Sequence, residues 1–145
     1  MLMAARDAIM EASNKTGIKP PLLLGVTVLT SLGDQDLIET GVNNSTLDQV
    51  KHLATLCQET GLGGVVCSAA EISPLRKICD KDFKLLTPGI RPIWAQSNDQ
   101  KRVVTPGEAI KRGADYLVIG RPIYSANDPV SATEKIISEI TEVIN

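Results

Sequence analysis

Four short apolar runs, each ending in a glycine or a small polar residue and each followed by a stretch of helical spacing, leave this chain few folds to choose from. The runs occupy residues 22–30, 63–68, 84–87 and 116–119. A strand–helix unit repeated in this way gives a parallel sheet with right-handed crossovers. The first run, Leu22-Leu23-Leu24-Gly25-Val26-Thr27-Val28-Leu29-Thr30, is nearly all apolar and predicts a central strand covered on both faces. Thr27 and Thr30 are its polar exceptions. The last run, Tyr116-Leu117-Val118-Ile119, reads as a short buried strand.

The helices between the runs carry start and stop signals. Leu2, Ala5, Ile9 and Ala12 share one side of an uncapped helix over 2–13 that ends between Asn14 and Gly17. A short helix is expected over 34–39, closing at Gly41. Thr46 and Gln49 stand at capping-box spacing and open a longer helix to Glu59, stopped by Gly61. Ser68 and Glu71 share that spacing, and Ser73-Pro74 is a second start. Thr105 as N-cap, Pro106 at the first position, Glu108 and a terminating Gly113 mark the next helix. Asn127 or Asp128 caps the last one, over 129–143, with Pro129 at its first position.

Two architectures accommodate this order. A doubly wound open sheet is complete at 145 residues, whereas a (β/α)8 barrel needs roughly 250 residues and eight strands. The strand tops (Thr30, Ser68, Thr87-Pro88-Gly89 and Gly120-Arg121) favour the barrel, because barrels present ligand-facing groups there. No G-x-G-x-x-G or P-loop supports a nucleotide-binding open sheet. The expectation is an α/β chain covering about the last four β/α units of a parallel barrel.

The stretch Ile119-Gly120-Arg121-Pro122 has two readings. In one, Gly120 bares backbone N–H groups, Arg121 offers a forked permanent cation, and the helix start at 127–129 adds positive dipole, making a phosphate site. In the other, it is a tight turn with a solvated arginine. Residues 88–104 lack periodicity and contain Arg91, Gln100, Lys101 and Arg102, all able to donate to an anion. That segment is a binding loop or lid, or else an idle polar connection.

Charge and side-chain inventory exclude other classes. A net charge of −2 and no basic run interleaved with aromatics argue against nucleic acid and against an anionic membrane surface. Cys57, Cys67 and Cys79 share no metal-ligand spacing and read as reduced structural thiols. His52 is the single histidine, on a polar helix face, which leaves neither a zinc site nor a histidine-based triad. The N-terminus lacks signal-peptide organisation and no apolar run reaches membrane-span length, so a cytoplasmic protein is expected.

Four blocks in order, Val26-Thr27-Val28-Leu29-Thr30-Ser31, Gly64-Val65-Val66-Cys67-Ser68, Leu86-Thr87-Pro88-Gly89-Ile90-Arg91-Pro92 and Asp115-Tyr116-Leu117-Val118-Ile119-Gly120-Arg121-Pro122-Ile123, resemble the orotidine 5′-phosphate decarboxylase family. The resemblance implies cofactor-free decarboxylation of orotidine 5′-monophosphate to UMP by a homodimeric barrel. It implies that Thr30 contacts the pyrimidine, Gln100 bridges base and phosphate, Arg91 touches substrate, and Gly120 and Arg121 grip the phosphate. The family's Asp-x-Lys-x-x-Asp motif, with a carboxylate crowding the substrate carboxylate and a lysine to protonate C6, has no counterpart in these residues. Asp80-Lys81-Asp82 stands before a strand and reads as solvated turn. No catalytic residue is therefore assigned. The chain is expected to be the C-terminal half of such a barrel, a single domain inactive alone and paired with a complementary half. A phosphosugar lyase or aldolase barrel, and a non-catalytic phosphate-binding half-barrel, are the alternatives.

Overall fold

A computed structural model of the chain describes residues 1–95 and 104–144. Helix α1 (Leu2–Thr16) leads into strand β1 (Leu24–Val26), helices α2 (Asp34–Glu39) and α3 (Thr46–Glu59), and strand β2 (Gly64–Val66). Helix α4 (Ile72–Arg76), strand β3 (Lys84–Pro88) and a 3₁₀ turn at Ile93–Ala95 follow. Helix α5 (Pro106–Arg112), strand β4 (Tyr116–Val118), a short helix α6 (Arg121–Tyr124) and helix α7 (Pro129–Ile144) complete the order. The four strands form one parallel sheet in the order β1-β2-β3-β4.

Alternation along the strands decides which face is packed. Leu85 and Thr87 of β3 are fully buried, as is Val65 of β2, and Val65 and Leu85 share one core with Val50, Ala54 and Cys57 of α3, Ile72 and Leu75 of α4 and Ala109 of α5. The i, i+4, i+7 spacing of Val50, Ala54 and Cys57 is the apolar stripe of α3. Gly25 faces the same layer, where a Cβ would lie 2.3 Å from Cys57 Sγ. The other face is open. Register aligns Val26, Val66, Leu86 and Tyr116 in one row across the sheet, and on its edge strands Val26 is 62% and Tyr116 47% exposed.

Several expectations need correcting. The run 22–30 is an edge strand of three residues, not a long central one. Its pairing with β2 ends where the Thr27 hydroxyl, rather than a backbone N–H, donates to Val66 O at 2.7 Å. Strand β4 forms the opposite edge, with Tyr116 and Val118 exposed and Leu117 and Ile119 half-buried against the core, because it has a neighbour on one side only. Helix α3 is capped by Ser45, whose hydroxyl accepts from Asp48 N. Thr46 instead gives both its N–H and its hydroxyl to Asp34 Oδ1, at 2.6 Å each. By contrast, Thr105 and Gly113 bound α5 as expected, the latter at φ 107°. Asp80, Lys81 and Asp82 are exposed before β3, as is His52 on α3.

Below the sheet, charge pins the entrances of β3 and β4. Arg76 donates to Asp115, to Gly113 O and to Phe83 O. Asp115 also accepts from Leu85 N at 2.8 Å and lies 3.3 Å from Lys84 Nζ. Fixing these entrances fixes the register, and hence which residues leave the two strands together at the far end.

Candidate functional site

Pro88 and Val118 are partners in the β3–β4 register. Arg91 and Arg121 each follow three residues later, so both leave the sheet at adjacent strand ends. After β3, Gly89 takes φ 77°, a left-handed turn that a side chain would strain. Ile90 then drops into the core, and Arg91 N donates to Val104 O at 3.2 Å. After β4 the chain turns directly into α6 with Arg121 as its first residue, so the expected tight turn is a single helical turn. Pro122 anchors it by burial.

The two arginines line one cleft of about 400 Å3 together with Trp94, Ala95, Pro122, Ser125 and Ala126. No carboxylate is among these lining residues. The Arg121 guanidinium is exposed and has no hydrogen-bond or ion-pair partner among the described residues, whereas Arg91 is largely buried. Two delocalised cations on a shared wall favour a multiply charged oxyanion. Gly120 has φ −104°, so no backbone strain demands glycine. A Cβ there would meet only the ring of Tyr124, 3.3 Å away and itself an exposed side chain. Among the described residues nothing else would meet that Cβ.

Not every expected contributor arrives. Thr30 is exposed beyond β1, at the other edge of the sheet from β4. Three strand spacings, roughly 14 Å, separate those edges, and Thr30 does not line the cleft. Gln100, Lys101 and Arg102 lie outside the described residues. The N-terminus of α7 does not present open N–H groups as expected, because Asp128 Oδ1 accepts from Val130 N and Ser131 N at 3.0 and 3.1 Å. Trp94 and Ser125 were not foreseen. The signal for Trp94 was its being the one tryptophan of an aromatic-poor chain, three residues after Arg91.

Elsewhere the chemistry is quiet. Burial pushes the Cys67 thiol up to about 11, and raises Cys57 and Cys79 as well. Among the described residues no cluster of histidine, cysteine or carboxylates could hold a metal ion, and no helix is long and apolar enough to cross a membrane.

Parallel strand–helix units with a two-arginine cleft at the carboxyl ends of the last two strands define a partial (β/α) barrel. Residues 1–136 match the family described as orotidine 5′-phosphate decarboxylase / HUMPS, and the chain belongs to it. The orotidine 5′-phosphate decarboxylase of Rhodospirillum rubrum is 54% identical over 140 residues, 97% of this chain and 57% of that protein. That of Paramagnetospirillum magneticum is 50% identical, over 97% of this chain and 60% of that protein. Among solved structures, orotidine 5′-phosphate decarboxylase from Lactobacillus acidophilus superposes with a TM-score of 0.81 at 36% identity, covering 97% of this chain and 58% of that one. An uncharacterized conserved protein from Geobacillus kaustophilus gives 0.79 at 32%, with the same coverage. The chain therefore spans 57–60% of the length of these relatives, and its sheet is part of their barrel.

Proposed function

We propose that this chain carries the phosphate grip and base contacts of an orotidine 5′-monophosphate decarboxylase, the lyase that releases carbon dioxide from its substrate to leave UMP in pyrimidine biosynthesis. The observation that carries this reading is the pair Arg91 and Arg121, side by side at paired strand ends and lining one cleft. In this proposal Arg121 and the Gly120 backbone hold the phosphoryl group and Arg91 supports it. Gln100 bridges phosphate and base, and Thr30 meets the pyrimidine across the barrel mouth. Binding energy taken up at a phosphate far from the reacting carbon favours catalysis when it holds the base where water is excluded.

The reacting groups themselves are not in these 145 residues, which contain no Asp-x-Lys-x-x-Asp. Decarboxylation needs an anion to crowd the substrate carboxylate and an ammonium to deliver a proton to C6. A complementary barrel segment supplies both in this proposal, and it covers the open row of Val26, Val66, Leu86 and Tyr116. Cytoplasmic location, homodimerisation of the completed barrel and the absence of a cofactor belong to the same reading.

Calorimetric titration with UMP tests it. The 145-residue chain binds UMP, and Arg121→Ala weakens binding about 10- to 100-fold, the loss of a hydrogen-bonded charge pair. UMP formation by the chain alone stays at background. Equal affinity of the two forms overturns the phosphate grip, and enzyme-like turnover by the chain alone overturns the division of labour.

A further inference from the structure

Behind the arginine cleft stands a second depression that the function above leaves unused. It holds about 460 Å3 and is lined by Trp94 with Ser131, Glu134, Lys135, Ser138, Glu139 and Glu142. Trp94 lines both depressions, so one indole is their shared wall. Lys135, on α7, places Nζ 5.8 Å from the centroid of that ring. Although three glutamates share its groove, Lys135 forms no ion pair among the described residues. Glu139 is held by Gly107 N, which donates to its carboxylate at 3.1 Å. The contact described for the lysine is with the π face of Trp94.

We propose that Lys135 and Trp94 work as a positioning pair for the anion cleft, with Trp94 as its outer wall and Lys135 holding the indole there. This rests on the phosphate reading of the Arg91–Arg121 cleft. The ammonium fixes the ring orientation, and the ring in turn sits in the 3₁₀ turn that begins two residues after Arg91. An apolar wall beside a guanidinium–phosphate pair excludes water and strengthens that pair. The glutamates of the neighbouring groove repel a phosphoryl group from the α7 side, so the negative ligand is confined to the side with the arginines. Neither Trp94 nor Lys135 touches the reacting carbon in this scheme. They set where the phosphate's cationic partners stand.

Because Trp94 is the single tryptophan, its emission reports the wall directly. The 145-residue chain is titrated with UMP, followed in parallel by tryptophan emission excited where the nucleotide does not absorb and by calorimetry, with uridine as the ligand lacking a phosphoryl group. Emission shifts with UMP and not with uridine, and its midpoint matches the calorimetric one. Lys135→Met weakens UMP binding about two- to five-fold, the size of an exposed cation–π contact, and Lys135→Arg restores it. If UMP binds and Arg121→Ala weakens it while Trp94 emission stays flat, the positioning pair is overturned and the phosphate grip stands. Unchanged affinity of Lys135→Met, or failure of Lys135→Arg to restore it, overturns the pair as well. No binding of UMP by the unaltered chain overturns both readings.

Discussion

Cys67 follows β2 directly, with its N–H on Leu86 O and its sulfur 3.8 Å from Thr87 Oγ1 inside the helix–sheet layer. Burial raises its thiol from 9.0 to about 11. A folded-state value above the unfolded one means that stability is intact below pH 9 and is lost as pH climbs toward 11. Urea midpoints should therefore fall more steeply for the unaltered chain than for Cys67→Ala, by about 2 kcal/mol between pH 8 and 10.5. Parallel slopes for the two proteins would show that the thiol ionises in both states alike. The same scale shows what the sequence could reveal of the site. Arg91 and Arg121 were legible as cations just past two strand ends, and the structure sets both on one cleft. Trp94 was not, since its value comes from Lys135, forty-one residues further along, and only the packing of α7 brings the two together. Thr30 was expected as a strand top, but β1 ends at Val26, and its separation from the cleft depends on sheet order, which spacing does not encode.

At the level of elements, caps were read well where the hydroxyl had no competitor and misread where it had one. Thr105 and Asp128 each accept from the first turns of α5 and α7. Thr46 stood at the right spacing for the same role, yet its hydroxyl is taken by Asp34, twelve residues earlier, and Ser45 caps α3 instead. These bonds from Thr46 also hold the Asp34 carboxyl below its ordinary range. Ser45→Ala should cost about 1 kcal/mol in urea unfolding, the loss of an N-cap. Thr46→Val, which removes only the contact to an exposed aspartate, should stay within about 0.5 kcal/mol. A larger cost for Thr46→Val would return the capping role to it. The first strand was overestimated for a related reason: apolar runs mark burial, whereas strands end where ladder bonds end, as at Thr27.

Across the whole molecule, alternation of four runs foretold a parallel sheet, and the sheet's two faces show how far that reasoning reaches. The run 22–30 was expected to be covered on both sides, but in this chain one face of the sheet, with Val65, Leu85 and Thr87, is sealed beneath helices. The row Val26, Val66, Leu86 and Tyr116 has the same apolar character and lies on the open face. Two substitutions separate these roles. Leu85→Ala opens a cavity in the packed layer and should cost 2–5 kcal/mol, within the usual range of about that size for buried leucines. Val26→Thr, of similar volume on the open edge, should change the stability of the 145-residue chain by less than about 0.5 kcal/mol. It should also lower concentration-dependent association measured by light scattering, because an exposed apolar row beside an unpaired strand edge is what drives such contacts. If Val26→Thr instead costs as much as Leu85→Ala, the chain already covers that face by itself, and a complementary segment has no surface left to complete.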